Sequence, residues 1–155
     1  MIFGTQYYRP PFPGREVWRR DLSHIRELGF NTVKLWAVWN WVEREPGVLH
    51  FEDLDELVAL CTELGLNVII NTVPEGAPYW TAGDTEHFYR TATGEVLRYS
   101  GPANIPTAGW PGYCPDSPLG LERMCGFIEA TAAHFRHVPA VTTIDVWNEP
   151  HLEPM

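Results

Sequence analysis

Two stretches of the chain repeat one another. "RELGFNTVKLW" (Arg26 to Trp36) and "TELGLNVIINT" (Thr62 to Thr72) share Glu-Leu-Gly-apolar-Asn at a spacing of 36 residues. Physically the shared pattern is a helix end, a glycine stop and then a strand. Gly29 and Gly65 can take the left-handed conformation that closes a helix. Val33 and Leu35 in the first copy, and Val68, Ile69 and Ile70 in the second, form short apolar runs of the kind parallel sheets bury on both faces. Ahead of the glycines, Trp18, Leu22, Ile25 and Leu28 recur at helical spacing, as do Leu54, Leu57, Val58, Cys61 and Leu64.

A third helix follows Ser117-Pro118, a cap and a first-turn proline, with Leu121, Met124, Cys125, Ile128, Ala132 and Phe135 expected inward. An opening strand at Ile2 to Tyr7 and a closing one at Val141 to Trp147 complete an alternation of strand and helix. That order predicts an α/β chain, a (β/α)8 barrel before a doubly wound sheet. The loops separate the two. No strand-to-helix turn carries a glycine-rich phosphate cradle. The turns after the strands are long (Trp36 to Glu52, Thr72 to Asp116), whereas those before the strands are short, as in barrels that build their sites at the C-terminal face. A full barrel takes roughly 250 residues. Residues 1–155 are therefore expected to hold about the first half of one domain, strands 1–4 and helices 1–3. Val33, Leu35, Ile69 and Ile144, or their neighbours, would supply its inward side chains.

Composition narrows the function. The 155 residues include 11 Lys and Arg against 20 Asp and Glu, a formal net charge of −9 that repels phosphate backbones. No apolar run approaches the roughly 20 residues of a membrane span, and "MIFGTQYYRPPFPG" is not a secretory leader, so a cytoplasmic protein is the expectation. Cys61, Cys114 and Cys125 are odd in number and widely spaced, which argues against a disulfide framework; Cys61 and Cys125 fall on apolar helix faces. His134 and His137 lack the helical i, i+4 spacing of a zinc-peptidase pair and suit a solvated helix end, so no metal or cofactor is expected.

The seven Trp, six Tyr and seven Phe are the compositional oddity. Trp36, Trp39 and Trp41 follow the second strand, Tyr79 and Trp80 the third, with Trp110 and Tyr113 later in the same connection. Flat rings on loops suit a sugar cleft, and Trp36, Trp39, Trp41, Trp110 and Trp147 are candidates for its wall. "TTIDVWNEPH" (142–151) places Asn148 and Glu149 where a buried strand ends and Pro150 stops pairing. A carboxylic acid at a barrel mouth, raised in pKa by neighbouring rings and flanked by an amide, suits glycoside hydrolysis. A retaining mechanism needs a second carboxylate about 5 Å away. Glu43, Glu45, Glu75 and Asp84 lie in the loops, but none is expected at a strand end as Glu149 is.

Four stretches resemble the N-terminal half of the catalytic barrel of family-42 glycoside hydrolases, the bacterial beta-galactosidases. They are "FGTQYYRPPFP", "WNWVEREPGVLHFEDLDELVALCTELGLNVII", "GYCPDSP" and "VTTIDVWNEP". The resemblance implies a retaining β-galactosidase with Glu149 as acid/base and Asn148 binding the sugar. The nucleophile would be a glutamate after strand seven, beyond Met155, so the isolated chain would be inactive. The sequence departs from the family in having Trp147 before the Asn-Glu pair and Trp110 where an arginine is common. The resemblance also implies a structural zinc, which many members bind through a cysteine matching Cys114 and a cluster just after strand four; "PHLEPM" has no cysteine, so zinc is not expected. Two other readings stand beside this one: a family-5 cellulase-like enzyme, and a non-catalytic carbohydrate-binding or interaction fragment. The expected partners are a carbohydrate substrate and, by self-association, a second copy, with no nucleic acid and no membrane.

Overall fold

The computed structural model describes residues 1–7, 9–96 and 112–148. Within them β1 (Gly4–Gln6), β2 (Thr32–Val38), β3 (Asn67–Val73) and β4 (Val141–Asp145) form one parallel sheet in chain order. The helices are α1 (Arg15–Glu27), the single-turn α2 (Trp39–Val42), α3 (Glu52–Glu63) and α4 (Pro118–Phe135).

All the long helices pack on one face of the sheet. Val33, Leu35 and Ala37 of β2 and Val68 and Ile70 of β3 share a single buried cluster with Trp18 and Leu22 of α1, Leu57 and Cys61 of α3, and Met124 and Phe127 of α4. A doubly wound sheet covers both faces and reverses its strand order; a sheet in chain order with its helices on one side is a run of (β/α)8 barrel units. The described residues are such a partial barrel. The other face, which turns inward in a barrel, carries Gln6, Lys34, Trp36, Ile69, Asn71 and Asp145 by strand alternation and register.

The repeated Glu-Leu-Gly-apolar-Asn closes both helices by the same mechanism. Gly29 has φ +92° and Gly65 φ +68°. The Gly29 N–H donates to Arg26 O and the Phe30 N–H to Ile25 O, at 3.0 and 3.3 Å; Gly65 donates to Thr62 O and Leu66 to Cys61 O, at 3.1 and 2.8 Å. This paired 5→2 and 6→1 closure satisfies carbonyls that the helix end would orphan. At the start of α4 the Ser117 hydroxyl accepts from the Gly120 N–H, with Pro118 in the first turn.

Several expectations are corrected. The first strand is shorter than Ile2 to Tyr7, because Ile2 and Phe3 are exposed and β1 pairs only from Gly4. β4 stops at Asp145, and Val146 is exposed. Val33 and Leu35 face the helices, so Lys34 and Trp36 are the inward residues of β2. Leu28 is the C-cap of α1 and lies in solvent.

On α4 the buried stripe is Gly120, Met124, Phe127, Thr131 and Phe135, one residue round from the expected one; Leu121 and Cys125 are exposed. Gly120 is suited to this orientation. A Cβ there would stand 2.7 Å from Cys114 O, so only glycine lets the helix seat so close to that loop.

Candidate active site

The inward face is polar at its centre. Lys34 Nζ bonds Asp145 Oδ2 at 2.7 Å across the intervening strand, and Trp36 Nε1 donates to Gln6 Oε1 at 2.9 Å. Trp36, Asn71 and Asp145 stand at one level of the register, which puts an aromatic ring, an amide and a carboxylate side by side. Above them Val38 and Val73 close the level with Trp36, and Trp41 packs against that group.

At the C-terminal end of β4 the backbone is clamped. The Thr72 hydroxyl, fully buried, reaches Val146 O at 2.7 Å and Asp145 O at 3.2 Å. That contact fixes the chain just before Trp147, which is partly buried against the main core, and Asn148, also partly buried. Glu149 and Trp110 lie outside the described residues.

The expected cleft wall divides. Trp36 belongs to β2 and faces inward with 7% exposure. Trp41 is partly buried, donates to Asp53 Oδ2 at 3.2 Å and has the Arg44 guanidinium 4.9 Å from its ring. Trp39 is corrected to core. It is 1% exposed, its ring stacks on Phe127 at 5.7 Å and tilts against Tyr113 at 5.8 Å, and its Nε1 donates to Glu43 Oε2 at 2.6 Å. The first turn of α2 points its largest ring toward the sheet–α4 seam, where burial outweighs a place on the surface.

The loop carboxylates divide as well. Glu43 is spent on Trp39 and on the Gly47 N–H at 2.7 Å. Asp84 accepts from the Tyr113 hydroxyl and from Arg123, tying the long connection to α4; burial holds the Tyr113 hydroxyl up at about 12. Glu75 differs from both. β3 runs to Val73, so Glu75 follows a strand end by two residues, contrary to expectation. Residues 71–78 are buried without interruption, and Glu75 is 2% exposed. Burial raises its pKa to about 8, opposed by its own backbone N–H close to the carboxyl and helped slightly by the Asp145 charge.

Both carboxyl oxygens of Glu75 lack a hydrogen-bond partner among the described residues, as do both side-chain polar atoms of Asn40 and of Asn71. The Asn40 N–H bonds Gly76 O at 2.9 Å, which joins α2 to the segment holding Glu75. Asn40 and Asn71 were not singled out by sequence, and Glu75 was named there only to be set aside. The available signals were an asparagine inside an apolar strand and a Pro-Glu-Gly directly after it.

Among the described residues no three His, Cys, Asp or Glu side chains gather as a metal cage, and none of the described helices is long and apolar enough to cross a membrane. His134 bonds Asp55 at 2.7 Å and stacks on Phe51, while His137 accepts from Arg136, so the two histidines serve separate contacts. The Cys114 N–H donates to His87 O at 2.9 Å, and the stretch after β4 that would pair with Cys114 in a zinc site lies outside the described residues.

Glu75, Asn71 and Asn40 are thus buried at the C-terminal ends of β2 and β3, and Trp36 faces inward level with Asn71. The chain is 27% identical over 150 residues to a beta-galactosidase of Thermus thermophilus, covering 96% of this chain and 22% of that protein. It is 24% identical over 152 residues to the beta-galactosidase bgaB of Geobacillus kaustophilus, covering 96% and 21%. The crystal structure of a beta-galactosidase from the psychrophilic Marinomonas ef1 superposes with a TM-score of 0.78 at 25% identity, over 93% of this chain and 21% of that one. The chain thus spans about a fifth of the length of the curated relatives it matches. The family model for glycoside hydrolase family 42, described as beta-galactosidase, matches residues 7–154, and the chain belongs to that family.

Proposed function

We propose that residues 1–155 are the N-terminal half of the catalytic barrel of a β-galactosidase that cleaves its substrate with retention of configuration. Glu149 is the general acid/base, and Asn148 binds the sugar beside it. The observation that carries this reading is the position of Asn148, held just past β4 by the Thr72 clamp within a chain matched to family 42 as far as residue 154. In the first step the acid protonates the departing glycosidic oxygen while a carboxylate from the remainder of the barrel attacks the anomeric carbon. In the second, the same residue, now a base, takes a proton from water as the glycosyl-enzyme is hydrolysed. Asn148 is suited to the sugar 2-hydroxyl, whose hydrogen bond strengthens as oxocarbenium character develops. Trp36 and Trp41 support the reading as rings at or next to the inward face, with Trp110 and Trp147 as further candidates for the wall.

The test uses the complete enzyme. Glu149→Ala is expected to slow galactosides with poor leaving groups far more than activated aryl galactosides, which need little protonation, and azide is expected to restore turnover of the activated ones. Equal losses across leaving groups without azide rescue would assign Glu149 a structural role. Proton NMR of the first-formed sugar is expected to show the β-anomer; an initial α-anomer would exclude retention.

A further inference from the structure

Among the described residues the inward face of the strands carries two charges, and they are paired with each other. Lys34 Nζ lies 2.7 Å from Asp145 Oδ2, with both side chains partly buried. In register Lys34 stands opposite Ile69 and Asp145 opposite Asn71, so the pair spans the width of β3 and climbs one step toward its C-terminal end. Around it β1 brings the uncharged Gln6, and β3 brings Asn71 and, two residues past its end, the titratable Glu75. The Asp145 charge is felt beyond the pair, since it adds slightly to the burial that raises the pKa of Glu75.

Asp145 is also the last residue of β4, and the buried Thr72 hydroxyl holds its carbonyl and that of Val146. The strand end is thus fixed twice, through its backbone from β3 and through its last side chain from β2. Asn148 follows three residues later and Glu149 four. Four residues of chain reach at most about 14 Å, so an uncompensated carboxylate at position 145 would act on the acid through the low-dielectric barrel interior.

Packing alone does not call for a lysine here. Apolar residues of similar volume serve as well as, or better than, an ion pair held inside a core. A cation supplies what they lack, the cancellation of the Asp145 charge. We infer that Lys34 and Asp145 are a positioning pair for the reaction, anchoring the β4 end that leads to Asn148 and Glu149 while leaving it without net charge. This rests on Glu149 as the acid/base proposed above, and deepens that reading by naming the residues that hold and shield it.

The complete enzyme is assayed across pH with phenyl β-galactoside, as wild type, Lys34→Met, Asp145→Asn and the double variant. The basic limb of kcat/KM reports the proton affinity of the essential acid in the free enzyme. Lys34→Met leaves the carboxylate bare and is expected to move that limb up by about half to one pH unit. Asp145→Asn leaves the ammonium and is expected to move it down by a similar amount. The double variant restores neutrality, and its limb is expected to return to the wild-type position. Lost packing lowers the rate but does not shift the limb in opposite directions. Limbs that stay in place in both single variants, or that move the same way, overturn the assignment. If a single variant does not fold, Lys34→Gln or Asp145→Ser replaces it against the same outcomes.

Glu149→Ala separates this inference from the one it rests on. Its azide-rescued turnover of 4-nitrophenyl β-galactoside is expected to lack the basic limb that the wild type shows on the same substrate. A limb that survives in Glu149→Ala overturns Glu149 as the acid, and opposite shifts of that limb would still sustain the pair. Loss of the limb in Glu149→Ala, with no shift in the Lys34 and Asp145 variants, overturns the pair alone.

Discussion

Replacing Glu75 by glutamine makes a quantitative test of its burial. The carboxyl has a pKa of 4.5 in its ordinary state and about 8 in the fold, because burial penalises its charged form. Between those two values the unfolded chain has released the proton while the folded chain retains it. Stability therefore falls as pH rises across the window, by about 1.4 kcal/mol per pH unit. The contribution is fully present below pH 4.5 and fully lost above about pH 8. Integrated over the window the loss is on the order of 4–5 kcal/mol, reduced to the extent that water enters when the group ionises. Glutamine keeps the shape and has no proton to lose. Chemical denaturation of wild type and Glu75→Gln, in matched buffers from pH 4 to 9, is expected to show the variant gaining on wild type steadily between pH 5 and 8. Parallel stability curves would refute the burial argument, and a wild type that gains with pH would reverse its sign.

Three further outcomes are expected. Trp39→Ala should destabilise the fold by about 3–5 kcal/mol, read by denaturant midpoint, since it empties a fully buried ring site; a change under 1 kcal/mol would return Trp39 to the surface. Gly29→Ala and Gly65→Ala should each cost about 1–2 kcal/mol, because both glycines hold positive φ with no atom near the added Cβ, so conformation alone sets the penalty. The purified 155-residue chain should show no turnover of nitrophenyl galactoside, because the second carboxylate of the double displacement is proposed to lie elsewhere in the barrel; measurable turnover would disprove that placement.

The parts of the fold legible in sequence are those dictated by local backbone chemistry. Gly29 and Gly65 closed two helices as the repeat implied, and Ser117-Pro118 opened α4. What failed was the choice between faces. Met124 and Phe135 were expected inward and are buried, but the sequence does not tell whether Leu121, Cys125, Ile128 and Ala132 or Gly120, Phe127 and Thr131 complete their stripe. The close seat of Gly120 on Cys114, a tertiary contact, decides between them. β2 misled for a related reason: an inward face that holds Lys34 is read as the solvent side until Asp145, 111 residues away, supplies its partner. Glu75 was passed over because an apolar strand was expected to end sooner than Val73. Asn40 and Asn71 carry no motif, and their interest comes only from burial without partners.

The strand order has a bearing on how the chain is made. Because β1, β2, β3 and β4 pair in the order of synthesis, each new strand leaving the ribosome finds its partner already in place. The sheet can grow vectorially from β1, with the β3–β4 pairing, Val68 opposite Val141, waiting longest for its loop to close. The starting edge is β1, whose second side stays open while the later strands are made. It is also the shortest strand, three residues from Gly4 to Gln6. A short edge presents few backbone groups for mispairing, so the strand that stays open longest offers the least to a wrong partner.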